Sequence, residues 1–195
     1  MLFRSPVIVG SAFASRDFSA TRSLLALLVA LALQIGVNYA NDYSDGIKGT
    51  DSDRVGPLRL VGSGVASARS VRNAAFISFL IAALAGLYLA SLTSWSLLLI
   101  GAAAIIAAWN YTGGSKPYGY SGFGEISVFI FFGIVATLGT YYVNALYLSK
   151  EAFLASLAMG SLACSILVLN NLRDRSEEHT SELQSHSDLV CRLLL

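Results

Sequence analysis

Between residues 33 and 54 the chain reads LQIGVNYANDYSDGIKGTDSDR. Gln34, Asn38, Asn41, Asp42 and Asp45 fall at offsets 0, 4, 7, 8 and 11, which at helical periodicity form a single polar stripe. Asp51 and Asp53 follow, interleaved with Lys48, Arg54 and Arg59. Carboxylates clustered beside cations suit a magnesium–diphosphate complex, because Mg2+ takes oxygen ligands and usually combines one or two carboxylates with substrate phosphates and water. Lysine and arginine neutralise the remaining phosphate charge. A solvated loop of balanced charges is the plainer alternative. Such a loop has no need to carry polar groups into an apolar run, where they are costly and mark function.

Two other stretches carry polar chemistry. Asn170, Asn171, Arg173 and Asp174 end an apolar run, with Asn170 and Asp174 on one helix face; taken alone, NNLRD is equally a capped helix C-terminus. The segment YTGGSKPYGYSGFGE, residues 111 to 125, holds five glycines, three tyrosines and Lys116. Its glycines let backbone approach a ligand closely and Lys116 offers a cation to an acidic substrate; alone, it is equally an interfacial loop with an aromatic belt. Tyr141, Tyr142 and Tyr147 read as belt residues at the opposite interface, and Cys164 as a packed core residue. Gly62 and Gly64 imitate a phosphate loop only superficially, since no Lys-Ser/Thr follows them.

The elements that must position these groups are membrane helices. Of 195 residues, 55% are hydrophobic and only 13% charged, about half the charge of an ordinary soluble domain. Apolar runs at about 24–40, 73–91, 95–110, 126–148 and 153–170 approach or reach the length that crosses a bilayer. A shorter run from Pro6 to Ala14 reads as an incomplete first span. The expectation is an all-α transmembrane bundle of about six spans, with consecutive helices antiparallel. Arg4, Lys48, Arg54, Arg59, Arg69, Arg72, Lys116 and Arg173 then fall on one side, against Arg16, Arg22 and Lys150 on the other. The basic side is the cytoplasmic one by the positive-inside rule. Spans two and six both end there, so their polar clusters can converge on one cavity.

A net charge of +1 provides no basic field for nucleic acid. Two cysteines make no disulfide framework, and no Cys/His spacing suggests zinc. From Arg175 onward the character changes: RSEEHTSELQSHSDLVCRLLL has six charged residues in 21 and both histidines of the chain. RSEEHTSELQSH resembles an in-frame translation of a short-read sequencing adapter. Residues 1–174 are accordingly read as a partial transmembrane domain and 175–195 as a non-native tail, excluded from fold reasoning.

Three stretches together match a family: NYANDYSDGIKGTDSDRVGPLR, YTGGSKPYGYSGFGEISVFIFFG with the following GTYY, and NNLRD. The chain resembles the UbiA superfamily of intramembrane aromatic prenyltransferases, and within it the naphthoate branch of menaquinone biosynthesis. The resemblance implies a fold of nine transmembrane helices around a cavity, with aspartate-rich motifs after helices two and six. It implies transfer of a polyprenyl group from polyprenyl diphosphate to 1,4-dihydroxy-2-naphthoate, with loss of diphosphate and CO2, giving demethylmenaquinone in a bacterial-type cytoplasmic membrane. It assigns Asp42, Asp45 and Asp174 to catalysis through Mg2+, with Asp51 as a further metal-site acid. Asn38, Lys48, Arg54 and Arg173 fall to the diphosphate. Lys116 is assigned to the acceptor's carboxylate by charge complementarity, with Tyr118 and Phe123 as aromatic walls. Many members place a third acid where this chain has Gly49, and the shift to Asp51 is similar to the naphthoate branch. Helices seven to nine are missing from the pattern, and the expectation is that residues 1–195 alone give no turnover. A 4-hydroxybenzoate prenyltransferase is the alternative within the family. An ion-coupled transporter is the alternative outside it, and no internal repeat favours that.

Overall fold

The computed structural model describes residues 4–49, 59–113, 117–120 and 122–193, with side chains through residue 172 apart from that of residue 120. The described residues form helices: α1 (Arg4–Phe13), α2 (Ala20–Lys48), α3 (Ala68–Leu92), α4 (Leu97–Asn110), a 3-10 turn (Tyr118–Tyr120), α5 (Gly124–Val128), a π-helical stretch (Phe129–Leu138), α6 (Gly139–Ala145) and α7 (Lys150–Leu193). Ala20–Lys48, Ala68–Leu92, Gly124–Ala145 and Lys150–Leu172 are long and apolar enough to cross a membrane.

Helix boundaries follow local chemistry. Ser19 caps α2 by accepting from the Arg22 N–H, and Gly49 closes it in the left-handed conformation, φ 71°, with its N–H on the Asp45 carbonyl. Helix α2 therefore runs well past the apolar run at 24–40, and it carries Asn41, Asp42 and Asp45 on continuous helix, as their spacing predicts. Gly124–Ala145 ends three residues short of the expected 148, because Leu146 takes a φ of 63° and donates its N–H to Tyr142. At 14 residues, α4 falls short of the ~20 that a span requires. The expected fifth span is not α-helical throughout: Phe129–Leu138 widens into π geometry. Helix α7 continues without interruption across residue 174 to Leu193.

Small residues set the helix contacts, as they do where lipid removes the usual hydrophobic drive. A Cβ at Gly36 of α2 would lie 2.5 Å from the Phe79 ring of α3, and one at Gly133 would lie 2.6 Å from the Cα of Gly160 on α7. Ala40, Ala75 and Phe79 form one core cluster, packed by Ile105, Ala108 and Trp109 of α4. Ala14, Tyr141 and Ala152 form another. Tyr141 is 3% exposed, so it is a core residue and not part of an interfacial belt; its ring meets Tyr147 edge-on. Large apolar side chains such as Leu80, Leu84, Leu99 and Leu154 face outward, the arrangement expected where bilayer, not water, covers the surface.

One end of the bundle is stitched by polar contacts. Asn144 is buried and accepts from the Ser19 N–H at 2.8 Å while donating to Ser23 at 3.1 Å. The Ser11 hydroxyl donates to that of Ser23. The Arg22 guanidinium donates to the carbonyls of Val143, Asn144 and Leu92. These bonds gather the start of α2 and the ends of α3 and α6. The candidate site lies at the opposite end.

Candidate active site

Where α2 ends, α3 begins, α4 ends and α5 begins, the ionisable groups collect. Asp42 and Asp45 stand one turn apart on α2 and are 7% and 5% exposed. Such burial of carboxylates demands partners. The Asp42 oxygens accept the backbone N–H groups of Leu60, at 2.9 Å, and Val61, at 3.1 Å. The Arg59 guanidinium lies 4.0 Å from Asp45 Oδ2 and is 31% exposed. Residues 59–66 form a closed turn, with Ser63 N–H on the Arg59 carbonyl, Gly64 N–H on Val61 and Ala66 N–H on Leu60. The Val61 side chain rests on Gly46, where a Cβ would collide with Cγ1 of Val61.

Around this pair the rest of the stripe divides. The Lys48 ammonium donates to the Thr112 carbonyl at 2.8 Å, and the Thr112 hydroxyl donates to Asn41 at 2.6 Å, so the end of α4 is tied twice to α2. Asn38 is exposed and accepts from Gln34. The Tyr118 hydroxyl donates to the Ala107 carbonyl at 2.8 Å and lies 3.1 Å from the Ser127 hydroxyl. That phenol therefore joins α4 to α5, and its ring meets Tyr111 edge-on. Burial, with Tyr118 and Glu125 adding to it, pushes the Tyr111 hydroxyl above its ordinary range. Phe123 is exposed.

Cys164 of α7 donates its thiol to the Glu125 carbonyl at 3.1 Å, which brings the later turns of α7 to this end, as expected from counting spans. Asp174 lies ten residues further on, about 15 Å along the helix. The side chains of Arg173 and Asp174, and all of Asp51, Arg54 and Lys116, lie outside the described residues.

Four contributors had little or no sequence signal. Leu60 and Val61 act through backbone N–H groups, which any residue but proline supplies. Trp109 stacks on Phe76 at 4.9 Å and on Tyr43 at 6.2 Å, an aromatic group drawn from three helices. Gly46 is the seat of Val61, and only its place one residue after Asp45 hinted at a role.

Among the described residues no three His, Cys, Asp or Glu groups gather to hold a metal ion. The donor set is instead two buried carboxylates with a cation alongside. It fits a divalent cation shared with an anionic ligand, since Mg2+ commonly takes one or two carboxylates and completes its shell with phosphate and water.

Comparison with known proteins covers most of the chain. The family model described as the UbiA prenyltransferase family matches residues 4–189. The chain is 58% identical over 172 residues to 1,4-dihydroxy-2-naphthoate octaprenyltransferase of Mycobacterium tuberculosis (strain ATCC 25618 / H37Rv), covering 87% of this chain and 59% of that protein. It is 53% identical over 184 residues to the protein of the same name from Mycobacterium leprae (strain TN), covering 93% and 61%. Against that of Escherichia coli (strain K12) it is 40% identical over 196 residues, covering 96% and 63%. The chain thus spans about three fifths of the length of these relatives. No solved structure gives a significant match.

Proposed function

The chain belongs to the UbiA prenyltransferase family, and on that premise we propose that it is the larger part of an enzyme joining a polyprenyl group to 1,4-dihydroxy-2-naphthoate. The donor is a polyprenyl diphosphate. Its allylic C–O bond breaks, the ring carbon bearing the carboxylate gains the prenyl group, and diphosphate and CO2 leave. The product is demethylmenaquinone at the quinol level, since both acceptor hydroxyls survive the exchange. The names of the relatives support the acceptor.

The observation that carries the reading is the buried pair Asp42 and Asp45 beneath Arg59, at one end of an apolar bundle. Asp42 and Asp45 would hold Mg2+, with Asp51 and Asp174 as further acids. When bound, the ion supplies Lewis-acid stabilisation of charge on the departing diphosphate. Lys48, Arg54, Arg173 and Asn38 are the proposed polar contacts of that anion. Lys116 and Tyr118 are assigned to the acceptor; the Tyr118 hydroxyl already serves α4 and α5, so its ring is the part offered. Walls of this kind exclude water and favour a developing allylic cation.

The family and the four long apolar helices make this an integral membrane protein. The site end carries Lys48, Arg59, Arg69 and Arg72, against Arg16, Arg22 and Lys150 at the other, which supports a cytoplasmic site. Residues 175–195 are read as foreign sequence. Resequencing the source locus across codon 174 is expected to reveal further apolar spans, and a genomic match to residues 175–195 would overturn that reading.

The functional test feeds membranes containing the full-length parent a labelled prenyl diphosphate and Mg2+ with either 1,4-dihydroxy-2-naphthoate or 4-hydroxybenzoate. Labelled product with the naphthoate alone is expected. Product with the benzoate alone would transfer the chain to another branch of the family, and no product with either would end the proposal.

A further inference from the structure

The turn 59–66 lies across the two buried carboxylates, and its hydrogen bonds identify what holds it. Each Asp42 oxygen accepts one backbone amide, from Leu60 and from Val61. These are charge-assisted bonds, about twice as strong as neutral ones, and they engage two amides that would otherwise be left unmatched. A carboxylate has about four lone-pair positions, so the clasp leaves room for a cation on the same group. Val61 packs onto Gly46, a seat that any side chain would fill. Because the turn is closed by three internal backbone bonds, fixing Leu60 and Val61 also fixes the residue directly before them.

That residue is Arg59. Its guanidinium stands 4.0 Å from Asp45 Oδ2, beyond hydrogen-bond range, so the contact is Coulombic. Partial exposure leaves its planar fork of donors accessible to a ligand.

We propose that Asp42 is a positioning residue, clasping the 59–66 strap through two backbone amides, and that the strap thereby sets Arg59 beside Asp45 as a ligand for the prenyl donor's diphosphate. The assignment of Arg59 rests on the prenyltransferase reading; the clasp does not.

The test uses the purified full-length parent in lipid nanodiscs. Hydrogen exchange across residues 59–66 is followed without metal, and binding of inorganic pyrophosphate with Mg2+ is measured separately. Asp42→Asn puts an amide donor against backbone donors, and exchange at Leu60 and Val61 should accelerate by about tenfold or more. Gly46→Ala leaves both carboxylates intact but unseats Val61, and should have the same effect. Arg59→Gln should leave the strap protected and weaken pyrophosphate binding by about tenfold. If neither Asp42→Asn nor Gly46→Ala alters exchange, the clasp is wrong. If Arg59→Gln binds pyrophosphate like the parent chain, the Arg59 assignment is wrong. A parent chain whose strap is protected but which binds no pyrophosphate overturns the Arg59 assignment along with the diphosphate site, and leaves the clasp standing.

Discussion

The ammonium of Lys48 donates to the backbone carbonyl oxygen of Thr112 at 2.8 Å, joining the last turn of α2 to the end of α4. The lysine also lies where a cation opposes the negative end of the α2 dipole. Because α4 is too short to be anchored by span length, this tie and the Asn41–Thr112 bond position it. Lys48→Met should lower stability by about 1–2 kcal/mol, read as a reduced thermal midpoint in detergent. If pyrophosphate binding is then unchanged, Lys48 is a tie and not a diphosphate ligand.

Gly133 and Gly160 bring the π-helical stretch and α7 to near backbone contact. Gly133→Leu should separate the two and cost about 3 kcal/mol or more, as overpacking does where backbone cannot yield. Gly101 on α4 has no heavy atom within 4 Å of where its Cβ would lie. Gly101→Ala should therefore stabilise by up to about 1 kcal/mol through helix propensity alone. Equal losses from both substitutions in chemical unfolding would contradict the packing described.

Asn144 is 2% exposed and bonded to Ser19, Ser23 and the Thr140 carbonyl. Asn144→Leu strands the Ser19 N–H and should cost about 1–3 kcal/mol. Exchange at Leu60 and Val61, at the far end of the bundle, should be unaltered. Accelerated exchange there would show that the two ends unfold together.

Burial holds the Tyr111 hydroxyl above the usual tyrosine value of 10.0, with Tyr118 and Glu125 reinforcing it. The folded chain keeps this proton at pH values where the unfolded chain releases it. The associated stability is thus complete below pH 10.0 and is lost as pH rises through the folded value. A tyrosinate absorbance titration should contain a late-ionising component that Tyr111→Phe removes. An unchanged titration curve in that variant would contradict the burial.

The sequence made the bundle legible because apolar run length is a strong signal, and it made Asp42 and Asp45 legible because they continue a polar stripe that starts inside such a run at Gln34 and Asn38. It understated α2, whose last turns are polar yet helical, since hydropathy stops at the membrane edge while backbone hydrogen bonding does not. The π geometry of Phe129–Leu138 left no trace, because FIFFGIVATL has the composition of any apolar helix. Tyr141 and Tyr147 are near neighbours in sequence, but only Tyr141 is packed in, a difference decided by Ala14 and Ala152 from distant segments. The Asp42 clasp was invisible for another reason: its donors are main-chain groups 18 and 19 residues away.

The stitching of Ser19, Ser23 and Asn144 has a mechanical consequence for the carboxylates at the other end. From Ser19 to Asp45 the helix runs 26 residues, a lever of about 39 Å. A tilt of one degree about that pivot sweeps Asp45 through about 0.7 Å. The ties at the site end, from Asp42 to the 59–66 turn and from Lys48 and Asn41 to Thr112, are what hold that lever still.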